Sequence, residues 1–357
     1  MSVTLNGSTG VTFNDGSSQT AAASPLGLKN RIINGDMRID QRNAGASVTP
    51  TASAYVLDRY RATMSQASKY SVQQSSVAPT GFVNSLLVTS ASAYSLSSTD
   101  QFTVEQYVEG LNIADLGWGT ASAQTVTLSF WVRSSLTGTF GGALRNSAQD
   151  RCYPYSYTIN SANTWEQKTV TIAGDTTGTW LTTNGIGIRV SFNLGTGTTY
   201  QATAGAWTGT SFISAPTGAT SVVSTNGATF YITGVQLEVG STATPFERRM
   251  YTNELQLCQR YYVKAVKSAA EDRPFTLEGA TTGSIWYPTM NLYSPVSMRS
   301  TPTVAALGTV TYSNCTFSSV TSQLNGMRFQ VEANTSGGRL YAHPSTTGAG
   351  YSLDSEL

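Results

Sequence analysis

Alternation with a period of two runs through the chain from about residue 30 to 245. Val126, Leu128, Phe130 and Val132 alternate with Thr125, Thr127, Ser129, Trp131 and Arg133. Ile186, Ile188, Val190 and Phe192 alternate with Gly187, Arg189 and Ser191, and Val170/Ile172 and Phe230/Ile232 continue the pattern. Successive side chains of a strand point to opposite faces, so each run places one face in a core and the other outside it. Many such runs, separated by Gly, Thr and Asn turns, predict an all-β, jelly-roll-like β-sandwich over residues 26–245. The stretch Gly195–Gly227 is poor in large apolar residues apart from Tyr200, Trp207, Phe212 and Ile213, and reads as a long decorated connection.

The period then changes. Met250, Leu257, Cys258, Tyr261, Tyr262 and Ala265 fall on one helical stripe, which predicts a short linking α-helix within 246–267. Thr244-Pro245-Phe246-Glu247 has the form of a capping box with Pro at the first helical position; the alternative start is near Thr252, after an extended Arg248-Arg249 arm. Such a helix could pack on either sandwich or pair with copies of itself about a symmetry axis. Residues 268–357 return to β character, with prolines at strand breaks, and predict a smaller C-terminal β-sandwich domain. Residues 1–25 are short-period and Gly-punctuated. Around Phe13, Asp15 and Gly16 they carry a β-run and an Asp-Gly turn, which reads either as a frayed tail or, in preference, as a segment that orders on a virion or within an oligomer.

Composition narrows the class. Charged residues are 11% of the 357, well below the roughly 25% of ordinary soluble proteins. Hydroxyl, amide and glycine residues fill that gap, which suits polar ligands such as sugars and permits self-association. A net charge of +1 without a Lys/Arg run disfavours nucleic acid. Met1-Ser2-Val3-Thr4 has neither basic start nor apolar h-region, and no stretch approaches a membrane span. An extracellular-looking chain without an export signal fits a virion part assembled in the host cytoplasm and released by lysis. Cys152, Cys258 and Cys315 are far apart and read as small buried residues, which excludes a disulfide framework and a Cys-based zinc site.

Several longer motifs carry a resemblance. Ile33-Asn34-Gly35-Asp36-Met37-Arg38-Ile39-Asp40-Gln41-Arg42 is followed by Leu57-Asp58-Arg59-Tyr60, then by Tyr231-Ile232-Thr233-Gly234-Val235-Gln236-Leu237-Glu238-Val239-Gly240. Thr244-Pro245-Phe246-Glu247-Arg248-Arg249 and Glu254-Leu255-Gln256-Leu257-Cys258-Gln259-Arg260-Tyr261-Tyr262 complete the set. Together they resemble a widespread family of phage tail-fibre and tail-associated proteins, whose central domain is similar to the jelly rolls of carbohydrate-binding modules. The Phe-Asn-Asp-Gly-Ser segment resembles attachment segments of phage fibres, and Pro295–Thr303 resembles the C-terminal β-domain of the same group. Tyr60 is a departure, standing where the family often shows Trp. The resemblance implies a homotrimer that joins other virion proteins through its N-terminal segment. Members sit on tails, baseplates or heads, and a shared fold does not fix a task.

Candidate chemistry is sparse. His343, the single histidine, lies in a turn-like segment and cannot alone support a triad or a metal cluster. No nucleophile elbow or Walker-type loop is present. Glu105/Glu109, Asp36/Asp40 and Asp115 are the carboxylates that glycan hydrolysis would need, but nothing in their spacing pairs them across a cleft. An enzyme, in particular a polysaccharide depolymerase, is therefore disfavoured, and no cofactor is expected. Sugar binding asks only for aromatic faces flanked by hydrogen-bonding groups. Alternation puts Trp131, Arg133, Arg189 and Tyr231 outside the core, with Glu105 and Tyr107 opposite Phe102, Val104 and Val108. Were these strands neighbours, the six residues would form one glycan-binding patch on one sheet. The competing arrangement covers that face with loops or a partner, packs Trp131 and pairs Arg133 with a carboxylate. Trp118, Trp207 and Trp286 are alternative platforms, and Trp165 and Trp180 read as core-edge residues. Asp58, Arg59 and Glu238 are expected to form an Arg–carboxylate pair linking the first and last strands of the sandwich. Asp36 or Glu238 could contribute to a structural calcium site, for which no six-oxygen set can be assembled. The expected function is a tail fibre or receptor-binding subunit that attaches to bacterial surface polysaccharide. The alternative is a capsid-attached head fibre, decoration or baseplate protein without receptor binding.

Overall fold

The computed structural model describes residues 29–209, 212–266, 289–313, 315–323, 326–333, 339–344, 346 and 349–357, together with short strands at 4–6, 10–12, 18–19 and 277–280. The alternating runs become antiparallel strands: β1 (Ala54–Leu57), β2 (Tyr60–Met64), β3 (Tyr70–Ser75), β4 (Ser85–Ser90), β5 (Gln101–Glu109), β6 (Val126–Ser134), β7 (Gly138–Arg145), β8 (Cys152–Ile159), β9 (Glu166–Ile172), β10 (Ile186–Thr196) and β11 (Thr229–Val239). They form a six-stranded sheet in the order β8-β7-β10-β5-β2-β1 and a five-stranded sheet in the order β9-β6-β11-β4-β3. The inward residues of both meet in one core. Phe130 of β6 lies edge-on to Phe192 of β10 with centroids 5.2 Å apart, and Phe140 of β7 stacks on Phe230 of β11 at 6.2 Å. This is the jelly-roll-like sandwich that the alternation predicts.

The motif at 30–39 is structural. This non-strand segment runs along β11, where Asn30 donates to the Val235 carbonyl and accepts from Leu237 N–H. Gln106 of β5 holds the backbone N–H and carbonyl of Ile33. A Cβ on Gly35 would collide with the Val235 carbonyl, so only glycine permits the approach.

The helix α1 (Tyr251–Gln259) follows an extended arm, with Met250 at its N-cap and no side-chain cap. The capping box does not form because Thr244 is engaged elsewhere: its N–H and hydroxyl both donate to Glu238. The helical stripe also ends earlier than its spacing suggests. Tyr262–Val266 is β12, paired with the C-terminal strand that also takes Thr303–Leu307. Cross-strand pairing along five residues outweighs a helical continuation for this Tyr/Val-rich stretch. Ile33 and Ile39 of the sandwich pack with Cys258 and Tyr261, so α1 docks on the sandwich.

Among the described residues, the C-terminal region forms three three-stranded sheets around Val263, Met298, Met327, Phe329, Val331, Ala342, Tyr351 and Leu353. His343 lies in a strand there rather than in a solvated loop, its Nδ1 3.0 Å from the Pro344 carbonyl. The chain end returns to the sandwich. Glu356 pairs with the buried Arg59 and with Arg42, and Tyr55 donates to the Leu357 carbonyl. The expected link between Arg59 and Glu238 is absent: Asp58 instead accepts from the Gln41 backbone and side chain. Burial pushes the Asp58 carboxyl up to about 6, against the pull of Gln41 and Arg42.

Candidate functional site on two outer faces

The six sequence candidates do not share a sheet. Trp131, Arg133 and Tyr231 lie on the outer face of the five-stranded sheet, whereas Glu105, Tyr107 and Arg189 lie on the outer face of the six-stranded one. All six occupy positions that alternate with the inward residues of their strands, yet Tyr107 and Glu105 are buried. Alternation could not tell which sheet each strand joins, because β5 and β10 pair with each other and never with β6 or β11.

On the five-stranded face, Tyr231 stands opposite Arg133 on one side and Leu87 on the other, while Trp131 stands opposite Thr233 and Gln167. Arg133 lies over Tyr231, Cζ 5.0 Å from the ring centroid, and donates to the Asn163 carbonyl at 2.9 Å rather than pairing with a carboxylate. Trp165 meets Tyr231 edge-on at 6.0 Å, so it belongs to this face and not to the core edge. The ladder shifts register between Thr233 and Gln236, with Gly234 at φ 61°. A Cβ there would press on both Phe82 and Trp131, so the glycine bulge makes room for these rings. Phe82 in turn packs edge-on with Phe246 at 5.3 Å, with Arg248 over it. Trp131, Trp165 and Tyr231 remain half-buried; Gln167 stands opposite Trp131, and Gln73 lies beyond Leu87 from Tyr231 in the ladder. Phe82 and Gln73 escaped the sequence reading: Phe82 lies in an irregular loop with no periodic signal, and Gln73 looks like any strand glutamine.

The six-stranded face is charged and largely covered. Glu105 pairs with Arg145, both buried, and accepts from the Thr103 hydroxyl at 2.8 Å. Burial works against the Glu105 charge, but Arg145 and these hydrogen bonds hold its carboxyl below the usual range. Arg61 donates to the Tyr107 hydroxyl at 3.0 Å, and Arg189 lies over the Tyr107 ring, Cζ 4.4 Å from its centroid. The connection after β10 folds back over this sheet. Gln201–Ala202 pairs with Ala215–Pro216, Thr208 bridges to Cys152, and Phe212 lies against the Arg145 guanidinium. Glu105 is therefore a buried partner of Arg145 and not an accessible sugar contact.

Other candidates resolve differently. Trp118, Trp180 and Trp207 pack into one edge-to-face cluster with centroids 4.7–5.4 Å apart, which removes Trp118 and Trp207 as open platforms. Asp36 pairs with Arg38, Glu109 with Arg260 and Asp115 with Arg31, so these carboxylates are all engaged. Among the described residues no group of three His, Cys, Asp or Glu side chains could hold a metal ion, and Glu238 is occupied by Thr244 and Gln236. Cys152 and Cys258 are buried. Phe13, Asp15, Gly16 and Trp286 lie outside the described residues, although 4–6, 10–12 and 18–19 pair as a small antiparallel meander.

No family model and no curated protein matches the chain. Solved structures resemble it at low overlap. The CBM22-1 xylan-binding domain from Paenibacillus barcinonensis is 9% identical with a TM-score of 0.28, covering 62% of this chain and 100% of that one. The family 11 carbohydrate-binding module of a Clostridium thermocellum cellulase is 12% identical, with a TM-score of 0.27 over 57% of this chain and 100% of that one. The enzymatically active domain of bacteriophage CBA120 tailspike protein 4 is 12% identical with a TM-score of 0.31; the match spans 59% of this chain but 22% of the tailspike's.

Proposed function

We propose that this chain is a non-catalytic bacteriophage virion protein, a tail fibre or receptor-binding subunit, that attaches to bacterial surface polysaccharide through the outer face of its five-stranded sheet. The observation that carries the binding role is the half-exposed group Trp131, Tyr231 and Trp165, with Gln167 opposite Trp131 and Arg133 over Tyr231. Aromatic faces stack on the C–H surface of a sugar, and the Gln167 amide and the Arg133 guanidinium on the same face supply hydrogen bonds for its hydroxyls. The virion assignment rests on the ordered motifs from Ile33 to Tyr262, the low charge and the N-terminal attachment-like segment. Homotrimeric assembly and contact with other virion proteins belong to the same proposal. Two measurements test it. Antibody labelling of virions should mark the tail; labelling confined to the capsid shell would overturn receptor binding in favour of a head fibre or decoration protein. A microarray of bacterial surface polysaccharides should retain the protein, and retention should drop when Trp131→Ala is introduced. Release of oligosaccharide from a bound polysaccharide would instead establish a depolymerase.

A further inference from the structure

Arg189 of β10 stands directly opposite Arg145 of β7 on one side and Tyr107 of β5 on the other. Like charges directly opposite on neighbouring strands repel. The sheet compensates one of them: Glu105 pairs with Arg145. Arg61 and Arg189 have no carboxylate at ion-pair distance among the described residues. The Arg189 Nε is buried without a partner, and its Nη2 reaches only the Ser147 carbonyl, at 3.4 Å. Both guanidinium groups are half-buried and flank Tyr107, with Cζ atoms 4.4 and 5.9 Å from its centroid. Arg61 faces Glu105 across the β2–β5 ladder, so Glu105 alone serves Arg61 and its ion-pair partner Arg145, and no carboxylate is left for Arg189. A partly desolvated excess of cations costs stability, and such local conflicts concentrate where a ligand resolves them.

We infer that Arg61 and Arg189, on either side of Tyr107, form a second binding site, which takes the carboxylate of an acidic sugar. A guanidinium presents a rigid fork of donors that matches the two oxygens of a carboxylate, and a bound anion would supply the charge that Glu105 gives Arg145. Because the two cations occupy the surroundings of the Tyr107 ring, this site selects for charge and does not offer an open stacking platform. It lies on the sheet opposite Trp131 and Tyr231 and works without them.

The test is calorimetric titration of the full chain at low salt with oligogalacturonate, its methyl ester and inorganic phosphate. Oligogalacturonate should bind, and the ester, which keeps the ring but loses the charge, should bind at least tenfold more weakly. Arg189→Gln should weaken the acid at least tenfold with a melting temperature equal to or above that of the wild type, since it also removes the repulsion of Arg145. Arg189→Lys, keeping charge but not the fork, should retain part of the affinity. Phosphate that displaces the sugar acid with equal affinity would uphold the oxyanion site and assign it to a free anion. Equal affinity for acid and ester, wild-type affinity in folded Arg189→Gln, or no binding of either anion would overturn the inference. Retention of neutral polysaccharide is a separate readout, so failure here leaves the aromatic face untouched and failure there leaves this site untouched.

Discussion

The two outer faces of the sandwich use the same backbone pattern for opposite purposes. On the five-stranded side, half-exposed Trp131, Tyr231 and Trp165 lie beside Gln167 and Arg133. On the six-stranded side, Arg61, Arg145 and Arg189 gather around Glu105 and Tyr107, and the returning loop lays Phe212 against Arg145. One face keeps apolar rings near water, where stacking is available; the other withdraws charges from water, where each must find a partner. The difference shows that a position outside the core is not thereby a position on the surface.

The sharpest way to break this comparison is to remove a charge partner on the covered side. Glu105→Ala leaves Arg145 buried and unpaired and should cost about 3–5 kcal/mol in urea unfolding, whereas Gln167→Ala on the aromatic side should stay within about 0.5 kcal/mol. Equal effects would mean that the two faces are equally solvated.

A smaller effect concerns pH. Asp58, at the turn between β1 and β2, has its folded value raised from 3.8 to about 6 by burial. Its neutral form is favoured in the fold, so the stability it contributes is complete below about pH 4 and is lost as pH rises through about 6. Asp58→Asn should therefore be better tolerated at pH 8 than at pH 3, where it only replaces one of the two oxygens that accept from Gln41 by a donor. Glu105 works in the opposite sense: its lowered value gives stability above about pH 4.5 that is lost on acidification. Thermal melts of the two variants from pH 3 to 8 should diverge in opposite directions; parallel curves would refute the assignment.

The smallest effect expected is in salt. Between 0.05 and 0.5 M NaCl, affinity for oligogalacturonate should fall severalfold, since screening weakens charge-based contacts at the half-exposed Arg61 and Arg189. Binding of a neutral polysaccharide to the aromatic face should change less than twofold. A matching salt slope for both would merge the two faces into one mode of recognition.

Much of this architecture was legible in the chain. The alternation of Val126–Arg133 and Ile186–Phe192 marked strands and their outward residues, and the change of period after Met250 marked α1. What escaped depended on contacts between residues far apart in sequence. Strand order separates Trp131 from Tyr107, and Glu356, about 300 positions away, takes the partnership expected of Glu238 with Arg59. The capping box at Thr244 failed for the same reason, since Glu238 claims its hydroxyl. Trp118 and Trp207 looked exposed in their Gly/Thr-rich surroundings, yet they close on Trp180 because three loops converge at one end of the sandwich.

The central claim is that the aromatic face holds bacterial glycan. Its most direct test is a microarray of bacterial surface polysaccharides probed with the wild-type protein and with the Trp131→Ala/Tyr231→Ala double variant. The account predicts retention of at least one polysaccharide by the wild type and at least a tenfold loss, about 1.4 kcal/mol, in a double variant that melts within a few degrees of it. Undiminished retention by the folded double variant would contradict it.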